Sequence, residues 1–181
     1  MVEQELPKLK TRVRFPSPAP TLSDVALPDF LNALDRAALE ERGITGWSYG
    51  LFDQVRFYEL DALAHVNNVA YLRWFETIRV RYIQHYGLTS YTDADPQLVV
   101  RAQTADYLAP MFQDQHYVVA ARTRLLKPTS FIMEYAVYAG DRVTAKGDAV
   151  CISLEQDGKT RRAHDPAAVA RIRAADAPEE A

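Results

Sequence analysis

The clearest hydrophobic pattern in the chain lies between residues 67 and 86. Apolar side chains step by four, three, four and four residues, which places them on one face of an α-helix. Gly87 follows as a typical helix stop. The pattern predicts a long helix, from about Asn67 to Tyr86, buried on a sheet. The core-facing positions are Tyr71, Phe75, Ile78, Tyr82 and Tyr86, widened by Leu72 and Ile83.

Segments with the character of strands flank this helix. Residues Tyr49 to Tyr58 predict a first core strand with Val55 and Phe57 on one face. After residue 96 the chain is rich in Val, Tyr, Ile, Phe and Thr, interrupted by turn signals such as Pro110 and Gly140-Asp141. Four strands are predicted there: Gln97–Leu108, Gln115–Leu126, Ser130–Ala139 and Arg142–Glu155. Direct turns between successive strands imply antiparallel pairing.

The N-terminal residues have a different pattern. Prolines interrupt residues 1 to about 25, which predicts a mostly irregular arm with a candidate edge strand at Val13-Arg14-Phe15. A helix is predicted at about 28 to 42, because Pro28 suits a first helical position and Gly43 suits the residue after the end. Its apolar face consists of Phe30, Leu31, Leu34, Ala38 and Leu39.

A short last helix is predicted from about Asp165 to Ala174, followed by a frayed tail at residues 176–181. The predicted fold class is α+β, with one antiparallel sheet wrapped around a long central helix and an N-terminal helical extension. The predicted domain covers residues 49–175, and residues 1–48 are the extension.

Composition narrows the functional classes. The net charge of −3 and pI of about 5.8 lack the basic character of a nucleic-acid-binding protein. The single cysteine, Cys151, excludes an internal disulfide and lies in an apolar run, which favours a buried structural thiol in a reducing compartment. We find neither a secretory signal nor a membrane-spanning stretch, so we expect a soluble cytoplasmic protein.

Candidate chemistry lies in the segment Asp61-Ala62-Leu63-Ala64-His65-Val66-Asn67-Asn68. A carboxylate follows a predicted strand, and a short loop leads to the start of the long helix. Unpaired N–H groups at a helix N-terminus can polarise a carbonyl oxygen, while Asp61 acts as a general base or a direct nucleophile. Each residue also has a plainer role: Asp61 in a turn, Asn67 or Asn68 as an N-cap, and His65 bonded to the loop.

The run from Val55 to Tyr86 resembles the 4-hydroxybenzoyl-CoA thioesterase-like hot-dog family. The Asp-x-x-x-His-Val-Asn-Asn string carries most of the resemblance, and weaker matches follow at Asp106-Tyr107-Leu108-Ala109-Pro110 and Lys127-Pro128-Thr129-Ser130-Phe131. The resemblance covers roughly residues 49 to 174 and leaves the N-terminal extension unexplained. It implies a thioesterase of the hot-dog fold.

The resemblance also implies roles for individual residues. Asp61 matches the catalytic carboxylate, and Asn68 matches the residue whose main-chain N–H points at the thioester carbonyl. His65 matches a histidine of the plant acyl-carrier-protein thioesterases, but Leu63 replaces the asparagine of that string. The further candidate substrate-binding residues are Asn67, Tyr71 and Ser130.

The substrate implied is a thioester of coenzyme A or acyl carrier protein, with no metal and no cofactor beyond the coenzyme A of the substrate. Candidate phosphate contacts are Arg122, Arg124, Lys127, Arg161 and Arg162. The resemblance also implies a homodimer or homotetramer, and the long last strands would leave an exposed edge in a monomer. No nucleic-acid or membrane partner is expected.

Two other functions stay open from the sequence. One is a non-hydrolytic acyl-thioester-binding or regulatory protein, in which the N-terminal extension fills the tunnel at Asp61. The other is a hydratase or dehydratase on the same fold, which typically pairs an acid with a histidine.

Overall fold

A computed structural model describes residues 30–180. The elements run β1 (Ala33–Asp35), α1 (Arg36–Glu40), β2 (Tyr49–Gln54), α2 (Asn68–Tyr86), β3 (Gln97–Tyr107), β4 (His116–Lys127), β5 (Ser130–Ala139), β6 (Arg142–Leu154), α3 (Pro166–Asp176) and β7 (Glu179–Glu180). A 3₁₀ turn at Phe57–Glu59 follows β2. The arm predicted at residues 1–25, its candidate edge strand and the predicted helix start at Pro28 lie outside the described residues.

Within residues 30–180, seven strands form one sheet in the order β1-β2-β4-β5-β6-β3, with β7 beside β4. The neighbours in this order pair antiparallel, and β7 pairs parallel with β4. Helix α2 packs on the inner face of this sheet, and the shared core includes side chains from β2, β4, β5 and β6. The predicted α+β hot-dog fold is therefore confirmed.

Helix α2 follows the predicted boundaries closely. Asn67 caps its N-terminus through a side-chain oxygen that accepts the N–H of Ala70 at 3.0 Å, and Gly87 ends it with a φ of 72°. The predicted core-facing residues and Ile83 are buried, and the ring of Phe75 stacks on that of Tyr135 with 4.8 Å between centroids. Leu72 is 36% exposed, so its predicted place in the buried stripe is wrong.

The pairing predicted between the first two long strands is also wrong. β3 does not pair with β4 across the turn at Pro110 but crosses to the far edge and pairs with β6. The connecting residues are bonded elsewhere, because the carbonyl of Met111 accepts the N–H of Val66 at 2.9 Å and Val55 bonds to Gln115 and Asp114. Turn signals locate the end of a strand but do not identify its neighbour.

The N-terminal extension is helical over a shorter range than predicted. Residues 33–35 form β1 on the edge of β2, and α1 covers five residues with Asp35 as its N-cap. The apolar spacing fits a strand followed by one helical turn as well as it fits a single helix, because Leu34 and Leu39 are both buried in the observed arrangement. Residues 30–32 are not helical, and Leu31 has a φ of 59°.

Smaller differences appear at two other boundaries. β2 ends at Gln54, and the 3₁₀ turn rotates Phe57 outward, so that it is 76% exposed rather than buried beside Val55. The tail is not simply frayed, since Glu179 and Glu180 pair with β4 and Glu180 bonds to Arg173.

None of the helices in the described part of the chain has the length and apolar character needed to cross a bilayer.

Candidate active site

The loop between the 3₁₀ turn and α2 is a closed structure. Leu60 and Val66 form an antiparallel bridge at its base, and the N–H of Asp61 donates to the carbonyl of His65 at 2.8 Å. Inside the loop Ala64 has a φ of 58°, a left-handed conformation that tightens the turn. Residues 60–66 therefore present Asp61 from a short, internally bonded loop.

The Asp61 carboxylate faces solvent and has two different oxygens. Its Oδ1 accepts the main-chain N–H of Leu63 at 2.8 Å and of His65 at 3.1 Å. These bonds are the turn that a plain structural role predicts for this residue. Among residues 30–180 no group hydrogen-bonds to Oδ2, which distinguishes this oxygen from Oδ1.

Asp61 and the start of α2 meet at a cavity of about 380 Å³, which we call the Asp61 cavity. Asn68 is the first residue of α2, and no acceptor among the described residues bonds its main-chain N–H. A helix N-terminus has unpaired N–H groups and a partial positive charge, so a carbonyl oxygen placed here would be polarised. The lining residues are Asp61, His65, Val66, Asn68, Tyr71, Tyr107, Leu108, Ala109 and Pro110.

His65 and Tyr71 form separate parts of the wall. The His65 ring is half-buried and meets the ring of Phe112 edge-on at 5.2 Å. Tyr71 is 3% exposed and packs against the rings of Trp74 and Tyr107. Burial raises the pKa of the Tyr71 hydroxyl, so this hydroxyl stays protonated at neutral pH.

Two candidate substrate-binding residues lie elsewhere. The Asn67 side chain is occupied as the N-cap of α2 and does not line the cavity. Ser130 pairs with Ile152, which in turn pairs with Val99 at the start of β3. Tyr107 at the end of β3 lines the cavity, and eight residues of strand separate it from Val99, roughly 25 Å. Within one chain, Ser130 is therefore at the opposite end of the sheet from Asp61.

The structure adds residues that the sequence did not assign to the site. Tyr107 lines the cavity and its hydroxyl donates to the carbonyl of Asn68 at 3.3 Å. Leu108, Ala109 and Pro110 form the adjoining wall, and exposed Arg142 donates to the carbonyl of Pro110 at 3.2 Å. The resemblance includes residues 106–110, but only the far-edge position of β3 shows that they meet α2.

The candidate phosphate contacts do not line the Asp61 cavity. Arg122 and Arg124 both bond to Glu134, at 2.7 and 2.9 Å, and Arg162 lies 3.4 Å from Glu155. Lys127 and Arg161 have no carboxylate partner within residues 30–180 and are exposed. A different basic residue, Arg142, contacts the cavity wall through its bond to Pro110.

Cys151 does not line the Asp61 cavity. It is 1% exposed in the core, and burial raises the pKa of its thiol to about 11. The predicted burial of this thiol is therefore confirmed. In the part of the chain that the structure describes, no group of three His, Cys, Asp or Glu side chains is placed to hold a metal ion.

Comparison with known proteins assigns the chain to a family. A family model described as the thioesterase-like superfamily matches residues 55–181. The chain belongs to the thioesterase-like superfamily. The matched region begins just before the 3₁₀ turn and includes the whole Asp61 cavity, so the candidate site lies in the part of the chain that defines the family.

Solved structures of superfamily members are similar over most of the chain. A thioesterase superfamily protein from Jannaschia sp. CCS1 is 36% identical with a TM-score of 0.81, and covers 86% of this chain and 100% of its own. A thioesterase from Thermus thermophilus, crystallised with coenzyme A and zinc, is 33% identical with a TM-score of 0.63. The match covers 73% of this chain and 97% of that one.

A curated relative gives a shorter match. The YsmA protein of Bacillus subtilis strain 168 is 28% identical over 90 residues. The match spans 49% of this chain and 60% of YsmA.

Proposed function

We propose that this protein hydrolyses an acyl thioester of coenzyme A or acyl carrier protein at the Asp61 cavity. One observation carries the proposal: the carboxylate of Asp61 and the N-terminus of α2 line the same cavity. The coenzyme A bound by the thioesterase of Thermus thermophilus supports coenzyme A as the carrier of the acyl group. The proposed reaction needs no cofactor beyond the carrier of the substrate.

In the proposed reaction the thioester carbonyl oxygen accepts the main-chain N–H of Asn68. The helix N-terminus then stabilises the negative charge that develops on this oxygen as the carbonyl carbon is attacked. Asp61 either removes a proton from the attacking water or attacks the carbon itself to form a mixed anhydride, which water then opens. In both routes the carbon–sulfur bond breaks, and the thiol and the carboxylic acid leave.

We assign His65 and Tyr71 to supporting roles in this mechanism. Both line the cavity, and the half-buried His65 ring lies within the same loop as Asp61. Tyr71 with Tyr107 gives the cavity an aromatic wall suited to the acyl group. We infer that the side chain of Asn67 acts through the helix cap, because its oxygen already accepts the N–H of Ala70.

A hydrolysis screen tests the proposal directly. Short, long, branched and aromatic acyl-CoA thioesters are assayed for thiol release with wild type, Asp61→Asn and Glu40→Gln. The control, Glu40→Gln, removes an exposed carboxylate on α1, which does not line the cavity. We expect Asp61→Asn to lose at least about a hundredfold in kcat, on the order seen for removal of a general base or nucleophile, and the control to match wild type.

Two results would contradict the proposal. Equal hydrolysis by wild type and Asp61→Asn would exclude Asp61 as the catalytic carboxylate. Acyl-CoA binding without hydrolysis of any thioester would favour the non-hydrolytic binding protein. The described part of the extension, residues 30–48, does not line the Asp61 cavity and so gives no support to that alternative.

We further propose that β3 is the contact edge of a homodimer, which is also the unit of a homotetramer. β3 is the last strand of the sheet, and Val99 and Val100 on it are 39% and 41% exposed. Nearby Arg79 is 7% exposed and bonds to the Tyr135 hydroxyl and to Gln103, with no carboxylate within 4.0 Å among the described residues. A buried arginine is usually paired, which supports a surface completed by a second copy.

A two-fold contact at β3 would also change the position of Ser130 relative to the site. Antiparallel pairing of two β3 strands places the start of one beside the end of the other. The Ser130 end of the second copy then approaches the Tyr107 end of the first. Light scattering with Val100→Lys tests the contact, and an unchanged molar mass would exclude this edge.

A further inference from the structure

Glu59 is a buried carboxylate two residues before Asp61, and it is 6% exposed. Its Oε1 accepts the indole N–H of Trp74 at 2.8 Å, and its Oε2 accepts the main-chain N–H of Arg56 at 2.7 Å. Among residues 30–180 no basic nitrogen forms an ion pair with it. Burying a carboxylate without a cation is costly, so its two hydrogen bonds are needed to stabilise it.

The main chain of Glu59 makes a second connection to α2. Its carbonyl accepts the N–H of Asn67, the N-cap of the helix, at 2.9 Å. The next residue, Leu60, forms the bridge to Val66 that closes the loop. Glu59 thus bonds to the N-cap of α2 through its carbonyl and to the second turn through its side chain, immediately before the loop that carries Asp61.

These contacts belong to a closed ring of interactions. Arg56 forms a two-pronged ion pair with Asp53 at 2.8 Å, and the hydroxyl of Tyr117 donates to the same carboxylate at 3.4 Å. The ring of Tyr117 stacks on Trp74 with 4.1 Å between centroids, and Trp74 completes the circuit at Glu59. This closed ring of interactions joins β2, β4 and α2 at the point where the Asp61 loop begins.

A second cavity, of about 370 Å³, lies against this ring and is lined by Trp74, Glu59, Asp53 and Tyr117 among others. Trp74 is 6% exposed and is one of the residues along this cavity. The hydrogen bond to Glu59 and the stacking on Tyr117 hold the indole beside this cavity.

We propose that Glu59 is a positioning residue for Asp61, an inference that rests on the proposed function. By bonding to Trp74 and Asn67, it fixes the distance between the Asp61 carboxylate and the N–H groups that begin α2. The two groups must act on one carbonyl at the same time. A misplacement of about 1 Å in such a site can cost about a hundredfold in rate.

The test compares Glu59→Gln and Trp74→Phe with wild type. The Gln amide places its NH2 group, a donor, against the N–H of Arg56 or of Trp74. Phe keeps an aromatic ring for the stack on Tyr117 and removes the indole N–H together with part of the ring. We expect Glu59→Gln to lower kcat roughly tenfold or more with KM changed less than about twofold, and Trp74→Phe to act in the same direction but less. The double variant should be no slower than Glu59→Gln.

Glu134→Gln is the matched control, because Glu134 is a bonded carboxylate on β5 that does not line the Asp61 cavity. A purely structural role would lower the melting temperature of both Gln variants and leave kcat of both unchanged. The indole N–H resonances supply a direct readout. The chain has two tryptophans, and Glu59→Gln should shift the Trp74 resonance and leave that of Trp47, bonded to Tyr138, in place.

Each other outcome overturns the proposal. A shifted Trp74 resonance with wild-type kcat shows that the bond between Glu59 and Trp74 exists but does not position Asp61. An unshifted resonance shows that the side chain of Glu59 does not bond to the indole N–H of Trp74 in solution. If Asp61→Asn and wild type hydrolyse equally, the proposed function has failed and the positioning role falls with it, whatever the resonances show.

Discussion

The carboxylate Oδ1 of Asp61 lies 2.8 Å from the main-chain nitrogen of Leu63. Through this bond, one oxygen of the candidate catalytic carboxylate stabilises the loop that contains it. In the proposed reaction, the second oxygen is the one that acts on water or on the substrate. The same side chain therefore has a structural role beside its proposed chemical one, and substitutions can separate the two.

Asp61→Asn should preserve the loop, because its amide oxygen can still accept the N–H groups of Leu63 and His65. Asp61→Ala removes this acceptor, and we expect it to lower the free energy of unfolding by about 1 kcal/mol relative to Asn. Urea unfolding followed by circular dichroism measures the difference. Equal stability of the two variants would show that the turn bonds contribute nothing to the fold.

Ala64 is expected to be a site of strain. An L-residue in the left-handed region costs about 1–2 kcal/mol, and Ala64 has a φ of 58° in an exposed position. Glycine has no such penalty but loses more entropy on folding, by about 0.4–1 kcal/mol. Ala64→Gly should therefore raise the free energy of unfolding by roughly 0.5–1 kcal/mol.

The matched control for this substitution is Ala62→Gly. Ala62 is exposed in the same loop and is not among the residues with positive φ. Its replacement should lower the free energy of unfolding through the unfolded state alone. Changes of the same sign at both positions, measured by urea unfolding, would contradict the strain at Ala64.

The parts of the fold that depend on local sequence were predicted well. Helix α2 was predicted within one residue, because its period, its N-cap and Gly87 all lie within the segment itself. Pairing across the sheet was not predictable in this way. The position of β3 beside β6 depends on contacts with residues about 40 to 60 positions away, and no local turn signal encodes it.

The same division applies to the candidate site. Asp61, His65, Asn68 and Tyr71 are close in sequence, and the structure brings them to one cavity. Tyr107 joins them only because β3 crosses to the far edge. Ser130 was grouped with them through a resemblance, and distance along the sheet within one chain separates it from them.

Gly147 should be intolerant of any side chain. A Cβ there would lie 2.5 Å from the carbonyl oxygen of Thr104 and 2.7 Å from the ring of Phe75. The carbonyl belongs to the neighbouring strand β3, and it cannot move without disturbing the β3–β6 ladder. We expect Gly147→Ala to lower the free energy of unfolding by roughly 1–3 kcal/mol, measured by urea denaturation.

Gly50→Ala is the comparison for this prediction. Its Cβ would meet the Cδ2 of Leu39 at 2.7 Å, but this atom ends a flexible side chain that can rotate. The cost should therefore be clearly smaller than at Gly147. A larger loss at Gly50 would show that α1 resists displacement more than the main chain of β3 does.

His164 should make stability dependent on pH. It is 7% exposed beside the ring of Phe131, and burial lowers the pKa of its imidazole, outweighing a contact with the main chain of Ser130. The unfolded chain then binds a proton more readily than the folded chain. Stability contributed by neutral His164 is full above the ordinary value of 6.5 and is lost as the pH falls from there toward the lowered folded pKa.

Urea unfolding of wild type and His164→Leu at several pH values between about 7.5 and 5 measures this contribution. Leu cannot take up a proton, so the variant should lose less stability than wild type over this range, even if it is less stable at the upper end. His116→Gln is the control, because it removes an exposed imidazole and leaves His164 in place. If His164→Leu keeps the full pH dependence of wild type, the imidazole of His164 is not the group responsible.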